Sequence, residues 1–182
     1  MPRAFTLVEV LVTMALSVIL LLTIVQLYIM YGRLITFHQT SIGITLDGSS
    51  IMDATRTNGA QAESVVAAHS FSGVNYDSGA TTAIFKLPSL DATGAIIDGA
   101  YDYVGIYASG ESAYRLIDAA PGSVRVSGQK RLSGMLDALS FAYDSPVFSS
   151  VTSVTIDATT SVMIRGEAVR THLRERIYLK NI

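Results

Sequence analysis

Phe5 to Tyr31 contain one charged residue, Glu9, and neither glycine nor proline. From Val10 to Tyr31 only Thr13, Ser17, Thr23 and Gln26 interrupt the apolar run. These 22 residues, wound as a helix at about 1.5 Å each, span roughly 33 Å, the depth of a bilayer's hydrocarbon core. A cleaved signal peptide has a shorter apolar stretch followed by a small-residue cleavage site; here the run continues into Gln26, Tyr28 and Tyr31 with no such site after it. A buried core helix is the other competing reading. Tyr28 and Tyr31 are expected near the outer interface, where amphipathic rings are favoured. Membrane insertion is therefore the first expectation.

Composition narrows the rest. The chain has 182 residues, 49% of them hydrophobic, which fits one folded domain plus a membrane segment. A formal net charge of -2 gives no global basic field for nucleic acid. The absence of cysteine excludes disulfides, thiolate-ligated metal sites and a thiol nucleophile.

Glu9 is the anomaly of the apolar run. A carboxylate there is costly, roughly 2.5 to 3.5 kcal/mol at a central position and less near the end. Two compensations are open: the positive end of the helix dipole, or a positive charge that meets Glu9 in an assembled state.

Ala4-Phe5-Thr6-Leu7-Val8-Glu9-Val10-Leu11-Val12 closely resembles the processing motif of type IV pilins, pseudopilins and related competence filaments. The family pattern is a short basic leader, a small residue, then Phe-Thr-Leu-x-Glu. The resemblance implies that a prepilin peptidase cuts between Ala4 and Phe5 and N-methylates Phe5. It implies further that Glu9 serves assembly by pairing with the methylated N-terminus of a neighbouring subunit. The family more often has glycine where this chain has Ala4, and a more basic leader than the single Arg3. Expected partners are the peptidase, other pilin or pseudopilin subunits, an inner-membrane assembly platform and the membrane itself. The expected location is the cytoplasmic membrane, with an extracytoplasmic head and later incorporation into an envelope or surface filament.

Beyond Gly32 the helical pattern continues, with Phe37, Ile44 and Ile51 at heptad spacing and Ile35, Ile42 and Leu46 on an adjoining stripe. Asp47, Asp53 and Arg56 mark a wetter face. Gly43 and Gly48 each weaken a helix by up to about 1 kcal/mol, so this half is expected to need a packing partner. An end is expected at Thr57-Asn58-Gly59, as a left-handed cap. Strands are expected at 64–71, 82–87, 101–107, 113–117, 139–143, 151–156, 161–164 and 169–179, separated by turns such as Asp77-Ser78-Gly79, Asp91-Ala92-Thr93-Gly94 and Arg165-Gly166. In the last strand Leu173, Ile177 and Leu179 alternate with Arg174, Arg176, Tyr178 and Lys180, which predicts one buried and one basic face.

The expected organisation is thus a leader (1–4), a transmembrane and assembly helix (5–31), the outer half of that helix (32–59) and a β-rich head (60–182). The class is α+β, a pilin-like lollipop with the long helix packed on an antiparallel sheet. The head segments Phe85 to Gly94, Tyr101-Asp102-Tyr103, Tyr114-Arg115-Leu116 and Leu173 to Asn181 resemble minor pilins of the pseudopilin J type. That resemblance points to a structural subunit of a type IV pilus or type II secretion-like filament.

No enzyme is expected. His38, His69 and His172 fall on the long helix, an early strand and the last strand, and no Gly-x-Ser-x-Gly, His-Glu-x-x-His or phosphate-cradling loop occurs. Asp91, Asp98 and Asp102 surround one turn region, but turn chemistry explains them as well as calcium does, and no cofactor or metal is expected. Tyr101, Tyr103 and Tyr107 share one strand face, and after residue 160 five basic residues face two acidic ones. These features support the alternative of a filament-tip module for DNA or surfaces. A signal-anchored envelope enzyme is the remaining alternative.

Overall fold

The computed structural model describes residues 6–164 and 166–180. One α-helix, α1 (Leu7–Gly59), is followed by β1 (Ser64–Val65), β2 (Ala68–Phe71), β3 (Val74–Asp77), β4 (Thr82–Leu90), β5 (Ile96–Ser109), β6 (Ser112–Asp118), β7 (Gly128–Ser133), β8 (Leu136–Tyr143), β9 (Ser153–Ile164) and β10 (Glu167–Tyr178). The α+β class expected from the sequence is the class observed. The chain divides into two compact units, Met1–Thr40 and Ser41–Ile182. In the first, the described residues form helix from Leu7 onward, and the large apolar side chains along it are exposed.

The second unit opens with the last turns of α1. Its strands form a five-stranded antiparallel sheet in the order β1-β4-β5-β6-β7, a three-stranded sheet β10-β9-β8 and a hairpin β2-β3. One core joins Ile51 and Met52 of α1 to Phe85, Leu87, Val104 and Ile106 of the larger sheet. Phe141, Val154, Ile156 and Ile177 of the smaller sheet complete it. On the opposite face of the larger sheet, Phe71 of the hairpin packs with Ile84 and Leu116 in a second cluster. Consequently β4 is covered on both faces, and Ala83, Ile84 and Phe85 are all fully buried.

The buried stripe of α1 runs through Ile44, Gly48, Ile51, Met52, Thr55, Asn58 and Gly59. Ile44 and Ile51 of the expected heptad stripe are on it, whereas Phe37, Ile35, Ile42 and Leu46 are exposed. The expected left-handed cap at Asn58-Gly59 is also corrected, since neither residue has positive φ. Gly59 is required by proximity instead: a Cβ there would lie 2.8 Å from Ile177 Cγ2, and one at Gly48 would lie 3.0 Å from Leu173 Cδ1. The Asn58 side chain donates to the Ala54 carbonyl at 2.6 Å, and Thr160 Oγ1 donates to the Ile44 carbonyl at 2.8 Å. Buried polar groups in this seam are therefore partnered.

The expected strand 64–71 is broken into β1 and β2, because residues 66–67 carry the chain from one sheet to the hairpin. The expected strands 151–156 and 161–164 are one strand, β9, whose polar middle Asp157-Ala158-Thr159-Thr160 pairs with β8 and β10 on either side. Neither β3 nor β7 was expected: both are short and polar, and they gain their order from the neighbours they pair with.

A loop between β6 and β7 is fastened by a buried ion pair. Asp102, fully buried, accepts from Ser89 Oγ (2.7 Å), the Ala120 amide (2.8 Å), Ser123 Oγ (2.7 Å) and Arg125 Nη1 (2.6 Å). Arg125 also donates to the Pro88 carbonyl and Gln61 Oε1. Burial pushes the Asp102 carboxyl up, but the hydrogen bonds from Ser123, Ser89 and Arg125 outweigh it and hold it below its ordinary value. Asp144 is held at about 2, chiefly by the Thr152 hydroxyl.

Two outcomes follow from this packing. Gly59→Val should overpack the α1–β10 seam and cost about 1–3 kcal/mol, whereas Gly43→Ala, with nothing within 4 Å of the added Cβ, should stabilise by up to about 1 kcal/mol. Thermal unfolding of the detergent-solubilised chain gives both signs. Arg125→Ala should cost about 3 kcal/mol by stranding the buried Asp102. Both carboxylates have lowered folded values, so their stabilisation is complete above about pH 4 and is lost as pH falls through the folded values. Acid titration of Asp144→Asn should show a flatter decline toward pH 2 than the parent chain.

Candidate assembly site

The membrane-length segment begins with a reciprocal pair of hydrogen bonds. Thr6 precedes the first helical residue, Leu7, and Glu9 lies three residues on, which is the Thr-x-x-Glu spacing of a capping box. The Thr6 amide donates to Glu9 Oε2 at 2.9 Å, the Thr6 hydroxyl donates to the same oxygen at 3.0 Å, and the Glu9 amide donates to Thr6 Oγ1 at 3.3 Å. An α-helix leaves its first amides without internal partners, and this arrangement satisfies the Thr6 and Glu9 amides at once. The spacing is legible in the sequence, yet attention to the apolar run and to an outside charge passes over it. Beside the two compensations open from the sequence, Glu9 has a third and more local one in Thr6.

The Thr and Ser hydroxyls of the segment are also served locally. Thr13 Oγ1 donates to the Glu9 carbonyl at 2.9 Å, Ser17 Oγ to the Thr13 carbonyl and Thr23 Oγ1 to the Ile19 carbonyl, each at 2.8 Å. Hydroxyls bonded to the carbonyl four residues back present little unsatisfied polarity to lipid or to a packed helix. What the segment shows outward is hydrocarbon: Leu7 is 76% exposed and Leu20 63%. Such a surface needs lipid or other helices around it. Ala4 and Phe5, the expected cleavage and methylation residues, lie outside the described residues.

The head places the remaining candidates apart. Asp91 accepts from the Thr93 amide, the Thr93 hydroxyl and the Ala95 amide at 2.7–2.9 Å, closing its own turn. Asp102 belongs to the buried loop network. Tyr103 and Tyr107 lie under the β2-β3 hairpin, where Tyr103 stacks on His69 at 3.8 Å between centroids and Tyr107 meets Tyr76 at 5.0 Å. Lys86 Nζ sits 3.5 Å from the Tyr101 ring centre. The tyrosine strand, open to stacking only in the alternative reading, is thus half-covered by its neighbours. His69 Nε2 bonds Asp118 at 2.8 Å and His172 Nε2 bonds Asp157 at 2.6 Å, so each has an acidic partner of its own.

β10 bears out the expected alternation. Ile177 is buried and Leu173 half-buried, while Arg170, His172, Arg174, Arg176 and Tyr178 are exposed. Charges along an exposed edge strand oppose pairing with another sheet, which is the plain account of this row. Arg56 reaches across from α1 to Glu175 with two bonds of 2.7 and 2.8 Å.

A family model described as the prokaryotic N-terminal methylation motif matches residues 2–25. The match includes the Ala4–Phe5 junction, the capping box and most of the apolar run. No curated protein matches the chain. The matched motif is the one at which a prepilin peptidase acts in type IV pilin-like proteins, and here it opens one helix long and apolar enough to cross a membrane.

Proposed function

We propose that the chain is a minor pilin or pseudopilin, a subunit of a type IV pilus or a type II secretion-like filament. It is cut between Ala4 and Phe5, methylated on Phe5, held by residues 5–31 in the cytoplasmic membrane with its head outside, and polymerised through the same helix. The observation that carries this reading is the match of the methylation motif to residues 2–25, opening directly into an unbroken apolar helix. Assignment to the pseudopilin J type draws on the head segments around Phe85–Gly94, Tyr101–Tyr103, Tyr114–Leu116 and Leu173–Asn181.

The capping box gives Glu9 two states. In the lone chain its carboxylate is occupied by Thr6, so insertion does not require a partner charge. In a filament, a neighbour's N-terminal ammonium offers a stronger, charge-assisted bond in a dry setting, which sets register between subunits. The apolar side chains then supply cohesion, and the head selects neighbours.

Intact mass of the membrane-extracted protein, made with and without an active prepilin peptidase, tests the processing. Loss of Met1 to Ala4 plus one methyl group is expected only with the peptidase; an unprocessed N-terminus in both would remove the reading. Glu9→Val should insert normally yet enter filaments poorly. Thr6→Val loses the cap, about 1 kcal/mol, but keeps the carboxylate and should enter filaments far better than Glu9→Val. Equal incorporation of the two variants, measured in sheared filament fractions, would sink the role given to Glu9.

A further inference from the structure

Three times in the chain an acid or its amide precedes glycine: Asp47-Gly48, Asn58-Gly59 and Asp98-Gly99. Each pair carries the same latent chemistry. Glycine has no Cβ to shield its backbone nitrogen, so that nitrogen can attack Cγ of the residue before it. The new N–Cγ bond closes a five-membered succinimide, and the side chain loses water from Asp or ammonia from Asn. Water then adds to one of the two ring carbonyls. Opening at Cγ yields Asp, whereas opening at the main-chain carbonyl yields isoaspartate, in which the backbone runs through Cβ and Cγ. The ring closes only where the side chain is free to turn back and the glycine amide is free to receive it.

Two of the pairs are closed to this reaction. Asp47 and Gly48 lie inside α1, where backbone amides are committed to the carbonyls four residues back. The Asp47 carboxylate accepts from Ser133 Oγ and the Gly134 amide, each at 3.0 Å, and Gly48 is buried against Leu173. Asn58 is 8% exposed, its side-chain nitrogen donates to the Ala54 carbonyl at 2.6 Å, and Gly59 abuts Ile177. In both, the attacked group and the attacking nitrogen are held apart by the packing of α1 on the head.

The third pair is open. β4 and β5 pair from Thr82–Tyr107 to Pro88–Tyr101 and resume at Leu90–Ile96. Between these points β4 supplies Ser89 alone, while β5 supplies Ile97, Asp98, Gly99 and Ala100, so this stretch stands out of the ladder as a bulge. Ser89 itself is turned to the buried Asp102. Asp98 and Gly99 are exposed, and among the described residues the Asp98 carboxylate has no hydrogen-bonded partner. Gly99 has a φ of 68°, and nothing lies within 4 Å of a Cβ built on it.

We propose that Asp98 is a site of spontaneous isoaspartate formation, the one Asx-Gly pair of the three that the fold leaves reactive. The product keeps its negative charge and adds one methylene to the main chain. Because the addition falls in the bulge, the pairs on either side of it are kept. The isomerised residue carries the free α-carboxylate that isoaspartyl carboxyl methyltransferases accept. The proposal is independent of the function proposed above.

The full chain is held for weeks at neutral pH in detergent, either folded or denatured in guanidinium chloride. D98E is carried alongside, since its longer side chain cannot close the five-membered ring and its position makes no contact that the fold needs. Isoaspartate is read by methyl transfer from S-adenosylmethionine with an isoaspartyl methyltransferase, and located by peptide mapping with electron-transfer fragmentation. In the folded chain it is expected at residue 98 at least about tenfold faster than at 47 or 58, because those two react only from locally opened states. In denaturant the order is expected to invert, with Asn58 first, since ammonia leaves an amide more readily than water leaves a carboxylate. Folded D98E is expected to lose most of the methyl acceptance. Folded-state modification led by Asn58 or Asp47 overturns the proposal. So does a folded chain that forms no isoaspartate at 98 while the denatured chain forms it there, or full methyl acceptance in D98E.

Discussion

The head depends on how closely α1 approaches β10. Only a helix with no side chain at residues 48 and 59 lets Leu173 and Ile177 reach its backbone, and those two side chains close the core that both sheets share with Ile51 and Met52. Two glycines that look like defects by helix propensity are thus points of contact. The packing partner expected for this half of the helix is present in the seam with β10. The same approach brings Arg56 to Glu175 and lets Thr160 reach the Ile44 carbonyl, so polar bonds follow a fit that apolar packing establishes.

How far the sequence discloses this architecture varies with the kind of signal. A long apolar run is a one-dimensional property, so the helix and its end at Gly59 were legible. The exposed and buried alternation of β10 was legible for the same reason, since period two along a single strand needs no knowledge of its neighbours. The rest is set by partners far away in the chain. β7, Gly-Gln-Lys-Arg-Leu-Ser, carries no strand pattern, and it becomes a strand because β6 offers a free edge. Tyr103 and Tyr107 looked like a displayed face because the hairpin that covers them arises from 68–77, of which only 68–71 was read as strand. Gly59 drew a capping rule, while its actual constraint is Ile177, more than a hundred residues later.

The two units differ in how many partners a carboxylate is given. Asp102 is supplied from four directions, which makes a surface loop as fixed as the sheet it crosses. Glu9 is supplied only by Thr6, through two bonds to one oxygen. The contrast bears on function. A carboxylate with many buried partners cannot be recruited without breaking a core, whereas one held by a single neighbouring residue can exchange that neighbour for a cation.

That difference also decides what a long apolar helix opening with one acid can do that a uniformly apolar helix cannot. Leucine and isoleucine side chains attract one another at any axial offset, because dispersion and hydrocarbon burial are non-directional. A stack of such helices would slide. In the assembly proposed above, one carboxylate per chain, held in lipid by its capping box but better satisfied by a positive terminus, would make a single offset preferable to its neighbours by the strength of a charge-assisted bond. The local cap would let the lone chain wait in a membrane, and the incomplete satisfaction it gives would favour the assembled state. On that proposal Thr6 and Glu9 act as one unit, in which the weaker interaction holds the position that the stronger one later occupies.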